Sequence, residues 1–171
     1  AVFLLTGLLA GSYPAFLQNS NPAIEDSAHG PIFNLSGVEI GRHQGIFRYT
    51  VGQRRGLGIA SEAPYYVVHV DAGNNALWVG RSRDLYRLEC RVDSVNWISR
   101  TAPTGPICCR VRIRNQHQPA AAWLRRLVDQ DSWLVRFDQP QRAVTPGQAA
   151  VFYDADSVLG GGVIARFPLP A

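Results

Sequence analysis

Apolar residues in this chain fall in short runs, and the runs are bounded by Gly, Pro, Asn or Asp. That pattern leaves little room for helices of ordinary length and favours strands joined by turns. Tyr65-Tyr66-Val67-Val68-His69-Val70 is rich in aromatic and β-branched residues and reads as a strand. Asp71-Ala72-Gly73-Asn74-Asn75 reads as a turn, and Ala76-Leu77-Trp78-Val79-Gly80 as the returning strand of a hairpin. Further strands are expected at Arg91–Trp97, Ile107–Arg114, Ser132–Phe137, Ala149–Tyr153 and Val163–Phe167. Only Ala120–Asp129 hints at a helix, through its alanines, and Trp123, Leu124 and Leu127 fit a strand pair equally well. Residues 12–36 look irregular, because Asn19-Ser20-Asn21-Pro22 and His29-Gly30-Pro31 are turn chemistry. The expectation is a mainly β chain containing a barrel or sandwich.

With 171 residues, 46% hydrophobic and 18% charged, the chain can bury a core, which excludes wholly disordered, collagen-like and disulfide-stapled classes. One domain or two small ones fit the length, with a boundary expected near Gly80–Tyr86. No Met occurs, even at position 1, so the chain is expected to be a piece of a longer one. The apolar run Ala1–Gly11 falls far short of the ~20 residues that span a bilayer and lacks a basic flank, so no membrane partner is expected. A stub from a larger core fits it better.

The cysteines are Cys90, Cys108 and Cys109. Neighbours on a strand point to opposite faces, so Cys108 and Cys109 should share neither a metal nor an easy disulfide. Without a CxxC or a matching His spacing, reduced and mostly buried thiols in a cytoplasmic protein are expected, and no metal site.

All 17 basic residues are Arg, and the net charge is +4. The charge is concentrated: residues 42–142 carry +8, while residues 1–41 carry −3 and residues 143–171 carry −1. A clustered basic field suits RNA or DNA, and an Arg-preferring surface explains it equally. Arg110-Val111-Arg112-Ile113-Arg114 alternates strictly, so on a strand the three guanidinium groups share one face at about 6.6–7 Å intervals. That approaches the spacing of successive phosphates, and Arg binds phosphate bidentately. A solvent-facing strand of a half-buried sheet shows the same alternation.

Gly52-Gln53-Arg54-Arg55-Gly56-Leu57-Gly58 is either a basic loop able to hold a phosphate or a tight structural turn. Leu159-Gly160-Gly161-Gly162-Val163 lacks a following helix, which favours a bulge or strand corner over a phosphate loop. His43, between Gly41 and Gly45, has no nucleophile spaced to it and fits a structural or RNA-contact role. Asp154 and Asp156 fit a turn better than a hard-cation site. No catalytic constellation stands out.

In order along the chain, these segments resemble the bacterial tRNA-specific 2-thiouridylase family. Gly37–Gly45, Tyr49–Ile59, Pro64–Val67 and Asn75–Gly80 look like its central-domain signature. Pro140–Asp154 and Leu159–Gly162 look like its C-terminal signature, and the match runs from about Phe16 to Ala165. The resemblance implies a remnant of an upstream segment over residues 1–15, a small β-rich central domain over 16–82, and a C-terminal β-barrel over 83–171. The barrel would resemble domain 2 of translation elongation factors.

The resemblance also implies an activity. Family members use ATP to activate the C2 carbonyl of the wobble uridine of tRNA, and a cysteine persulfide delivers sulfur supplied by carrier proteins. ATP, with Mg, belongs to an N-terminal PP-loop domain, and no Ser-Gly-Gly-x-Asp-Ser motif occurs here, so no cofactor is expected in this chain. Ala1-Val2-Phe3-Leu4-Leu5 aligns with the context of a family cysteine, which would put Val2 in its place. The family's tRNA-contacting Arg-Tyr pair matches Arg112-Ile113, and the Gln of its Thr-Pro-Gly-Gln turn matches Gln148. The expected tRNA face is therefore Arg112, Ile113 and Gln148, joined by Arg110, Arg114, Arg54, Arg55 and His43. No catalytic residue is expected, and the chain is expected to be inert alone. The alternative is a non-enzymatic β-barrel interaction module or a degenerate family member.

Overall fold

The computed structural model describes residues 29–98, 101–115, 118–127 and 132–167. The turn at Asn19–Pro22 and the Val2 alignment lie outside these residues. Strand β1 (His29–Asn34), β2 (Glu39–Gln44), β3 (Tyr66–Asp71) and β4 (Ala76–Gly80) form a four-stranded sheet in the order β2-β1-β4-β3. Strands β3 and β4 are the expected hairpin, paired antiparallel, while β1 runs parallel to β4. Its core is Ile32, Leu57, Val67, Leu77 and Val79.

The chain then passes through a single 3-10 turn at Ser82–Leu85, closed by the Asp84 carboxylate accepting from the Arg81 amide at 2.6 Å. Strands β5 (Tyr86–Trp97), β6 (Ile107–Arg112), β7 (Ala120–Arg126), β8 (Ser132–Arg142), β9 (Ala149–Asp154) and β10 (Ser157–Ile164) close into a barrel in the order β10-β5-β8-β7-β6-β9. Closure leaves no open edge. The interior follows strand alternation: Val111 and Ile113, Ala122 and Leu124, and Trp133, Val135 and Phe137 point inward. Trp97 packs edge-on against Trp133 at 4.9 Å between ring centres.

Four expectations need correcting. The helix hint at Ala120–Asp129 resolves as β7, because Ala122 and Leu124 fill the barrel while Trp123 faces outward at 52% exposure. His29-Gly30-Pro31 is strand, not turn. Gly30 is required there because an added Cβ would sit 1.9 Å from the Asn75 carbonyl oxygen. Pro31 is tolerated because pairing with β4 starts only at Ile32. The strand expected at Val163–Phe167 ends at Ile164 and begins at Ser157, so the triple glycine lies within β10. It carries bulges toward both neighbours, as the bulge reading required. Cys108 is exposed and Cys109 half-buried, so only Cys90 is a buried thiol.

The two sheets meet at Val51, Leu85 and Ala143, with Tyr66 and Val70 packed against them. The Ala143 amide donates to the Leu85 carbonyl at 2.8 Å. Among the described residues no helix is long and apolar enough to cross a membrane.

Candidate nucleic-acid interface

The Arg-rich strand presents its cations in three different settings. Arg110 is exposed, and its Nε donates to the Pro119 carbonyl at 3.3 Å. Arg112 is half-buried with its guanidinium 5.1 Å from the centre of the Tyr153 ring on β9. Its Nε is buried without a hydrogen-bond partner. Arg114, just past β6, donates from Nη2 to the Ala143 carbonyl at 2.9 Å, and reaches Val51 O and Thr145 Oγ1 at 3.4 Å each. Burial, followed by the charge of Arg142, holds Arg114 below the usual guanidinium range.

Gln148 is exposed on the turn before β9. It shares a cleft of about 580 Å³ with Arg114, Asn115 and the Thr50–Gln53 segment of the other sheet. The Thr145–Gln148 turn separates this cleft from a second, more apolar one of about 740 Å³ that includes Tyr49, His69, Pro146, Arg166 and Phe167. Arg112 lies outside the first cleft but close by, paired with Val151 of β9.

Arg54 and Arg55 are exposed on the glycine-rich turn, where Gly52, Gly56 and Gly58 all have positive φ. Gln53 fixes the turn from within: its Oε1 accepts from the Thr50 amide at 3.2 Å and its Nε2 donates to the Arg55 carbonyl at 3.0 Å. Tyr49 adds a bond from its hydroxyl to the Gly56 carbonyl at 3.1 Å.

Two sequence-expected residues sit in packing environments. Ile113 is 3% exposed in the barrel core, so its side chain is a packing residue and makes no surface contact. The aromatic partner of Arg112 comes instead from Tyr153, across the β6–β9 pair. His43 is fully enclosed and edge-on to Tyr49 at 5.8 Å. Its enclosure follows from β2 passing beneath the β3–β4 turn, where it meets Asn75.

Sequence reasoning missed Arg142, which does not line the cleft but stands close enough to Arg114 for its charge to act on it. It ends β8, and its guanidinium faces the Tyr66 ring of the other sheet at 5.5 Å. Its place directly before the Ala143–Gln148 segment was the one signal pointing to it.

Among the described residues no group of three or more His, Cys, Asp or Glu could hold a metal. Asp154 ends β9 and Asp156 lies in the exposed two-residue turn Ala155-Asp156 that leads into β10. The triple glycine has backbone carbonyls of Asn96, Ala150 and Asp93 within 2.6 Å of where Cβ atoms would be, so it is a packed ladder and not a phosphate cradle.

Two family models match the chain. A tRNA methyl transferase PRC-barrel domain matches residues 15–81, and an aminomethyltransferase beta-barrel domain matches residues 87–164. A tRNA-specific 2-thiouridylase of Solibacter usitatus is 44% identical over 164 residues, covering 95% of this chain and 44% of the relative. One of Symbiobacterium thermophilum is 46% identical over 90% of this chain and 39% of the relative. One of Chloroflexus aurantiacus is 46% identical over 91% and 43% respectively. The chain thus spans less than half the length of the curated relatives it matches. Through its sheet and its barrel together, this chain belongs to the bacterial tRNA-specific 2-thiouridylase family, of which it comprises the central and C-terminal domains.

Proposed function

We propose that this chain is the tRNA-holding part of a tRNA-specific 2-thiouridylase, which replaces the C2 oxygen of the wobble uridine with sulfur. The observation that carries this reading is the cleft where Gln148 and Arg114 of the barrel face the Thr50–Gln53 segment of the central sheet. A Gln amide both donates and accepts, which suits phosphate, ribose or a base edge. Arg54 and Arg55 follow Gln53 on the exposed turn, and Arg110 and half-buried Arg112 precede Arg114 along the chain, so further positive charge is available to the same ligand. Activation by ATP with Mg, and receipt of sulfur from a carrier protein in the cytoplasm, would fall to residues outside those described. On this reading the chain is inert alone.

The test is binding of an unmodified tRNA transcript to the purified chain, measured across a salt series. Affinity should fall steeply with salt as phosphate-bound counterions are released. Arg112→Gln and Gln148→Ala should each weaken binding, and Arg112→Gln should also flatten the salt dependence. Absence of tRNA binding at low salt would overturn the reading. A bracing, non-enzymatic barrel is the second reading, favoured by the commitment of Arg114 to backbone carbonyls at the sheet junction.

A further inference from the structure

Two guanidinium groups from the barrel side converge on one glycine of the turn that precedes β3 in the other domain. The point where Gly52 would carry a Cβ lies 3.8 Å from Arg114 Nη2 and 4.0 Å from Arg142 Nη1. Gly52 has φ +91, and the Ala143 methyl stands 3.0 Å from the same point, so position 52 stays a glycine and no side chain of its own comes between the cations.

The two cations are fixed there by unrelated contacts. Arg114 is tethered by the Ala143 carbonyl, and Arg142 lies over the Tyr66 ring. Neither pairs with a carboxylate among the described residues. Pairing of that kind occurs elsewhere on the barrel, as between Arg136 and Glu89 at 3.6 Å.

Like charges held side by side repel, and the repulsion is strongest where water is partly excluded. Backbone carbonyls and a hydroxyl meet the hydrogen-bonding needs of Arg114 Nη2, but they do not offset the paired positive charge, which an external anion would. The other polar side chains lining the cleft are all neutral, Thr50, Gln53, Asn115 and Gln148, and the exposed amides of Asn115 and Gln148 suit an anion with several acceptor oxygens. A phosphate diester has that character, and it reaches a site between two sheets only as part of an extended chain.

We propose that Arg114 and Arg142 form a phosphate seat over Gly52, bridging the central sheet and the barrel, and that a backbone phosphate of the RNA occupies it. The inference rests on the tRNA-holding reading and adds Arg142 and Gly52 to the face. It also gives the sheet junction a role: the seat exists only while both sheets are docked.

The experiment compares wild type, Arg142→Gln and Arg142→Lys for binding of the tRNA transcript between 50 and 200 mM salt, roughly the range where counterion release is readable. Loss of one phosphate contact should reduce the slope of log affinity against log salt by about 1 in Arg142→Gln. Arg142→Lys, which keeps the charge, should retain the wild-type slope. A purely structural role for Arg142 would lower affinity without moving the slope, and that outcome would overturn the seat. Circular dichroism checks that each variant is folded.

A second measurement separates this inference from the reading beneath it. Inorganic phosphate is titrated into the chain while the Nε–H signals of the arginines are followed by NMR. Shifts at Arg114 and Arg142 without any tRNA binding would keep the seat and overturn the tRNA reading alone. Absence of shifts at both positions, with an unchanged slope in Arg142→Gln, would overturn the seat alone.

Discussion

His43 Nε2 lies 2.9 Å from the carbonyl oxygen of Asn75, while the Gly45 amide donates to His43 Nδ1 at 3.2 Å. One nitrogen must donate and the other accept, which specifies a neutral ring. Burial pushes the His43 pKa below its ordinary 6.5, with the Asn75 carbonyl opposing and the charges of His29 and Arg42 adding to the depression. His69 is lowered too, again chiefly by burial. The unfolded chain therefore takes up protons first as pH falls, so stability is full above about pH 6.5 and declines below it toward the depressed folded values. Thermal melts at pH 7.5 and 5.5 should show a lower midpoint at 5.5. His43→Gln should lose stability at pH 7.5, by roughly 1–3 kcal/mol for the broken buried bonds, and show a shallower decline with pH. A wild-type midpoint that rises on acidification would contradict the assignment.

Glycine substitutions should divide sharply. A Cβ on Gly160 would stand 2.3 Å from the Asn96 carbonyl oxygen, and one on Gly161 would stand 2.6 Å from that of Ala150. Both obstacles are backbone atoms in paired strands, so neither can swing aside. Gly160→Ala and Gly161→Ala should each destabilise the barrel by about 1–3 kcal/mol or more, as overpacked sites do. Gly105→Ala meets nothing within 4 Å and needs no unusual φ, so it should be neutral or gain about 0.4–1 kcal/mol through the unfolded chain. Urea midpoints for the three variants check the contrast.

Ile113 offers a test that separates packing from contact. At 3% exposure it belongs to the barrel core beside Val111. Ile113→Ala should cost about 2–5 kcal/mol, and Ile113→Val about 0.5–1.5 kcal/mol. Folded Ile113→Val should bind tRNA with the same salt slope as wild type. A changed slope would show that the position senses the ligand after all.

Much of the fold could be read from strand alternation, and the reason is visible in residues 107–114. Val111 and Ile113 point inward, and the arginines between them point elsewhere, so pattern and burial agree. What could not be read is the part set by partners distant in sequence. Pro31 looks like a turn residue until β4 is seen to begin pairing one residue later. The triple glycine reads as a bulge or strand corner, but the carbonyls of Asn96, Ala150 and Asp93 that press on it come from other strands. The alternating arginines suggested one uniform basic face, yet Arg114 is tied to Val51 and Ala143, residues far apart in the chain. For the same reason Arg142 stayed hidden: its neighbour Tyr66 lies on another sheet.

The three thiols should differ in reactivity by their faces. Cys108 and Cys109 follow one another on β6, so alternation turns Cys108 outward, opposite Trp123, and Cys109 toward the barrel. Cys90 is 3% exposed on β5, and burial pushes its thiol up to about 12. The thiolate is the reacting species, so Cys90 is doubly protected, by access and by ionisation. With a thiol-specific alkylating agent at pH 8, peptide mapping should find Cys108 modified first and Cys90 last. In denaturant all three should react alike. Early modification of Cys90 in the folded chain would mean that the β5–β8 pairing opens far more readily than a closed barrel allows, because Cys90 lies opposite Val135 in that ladder.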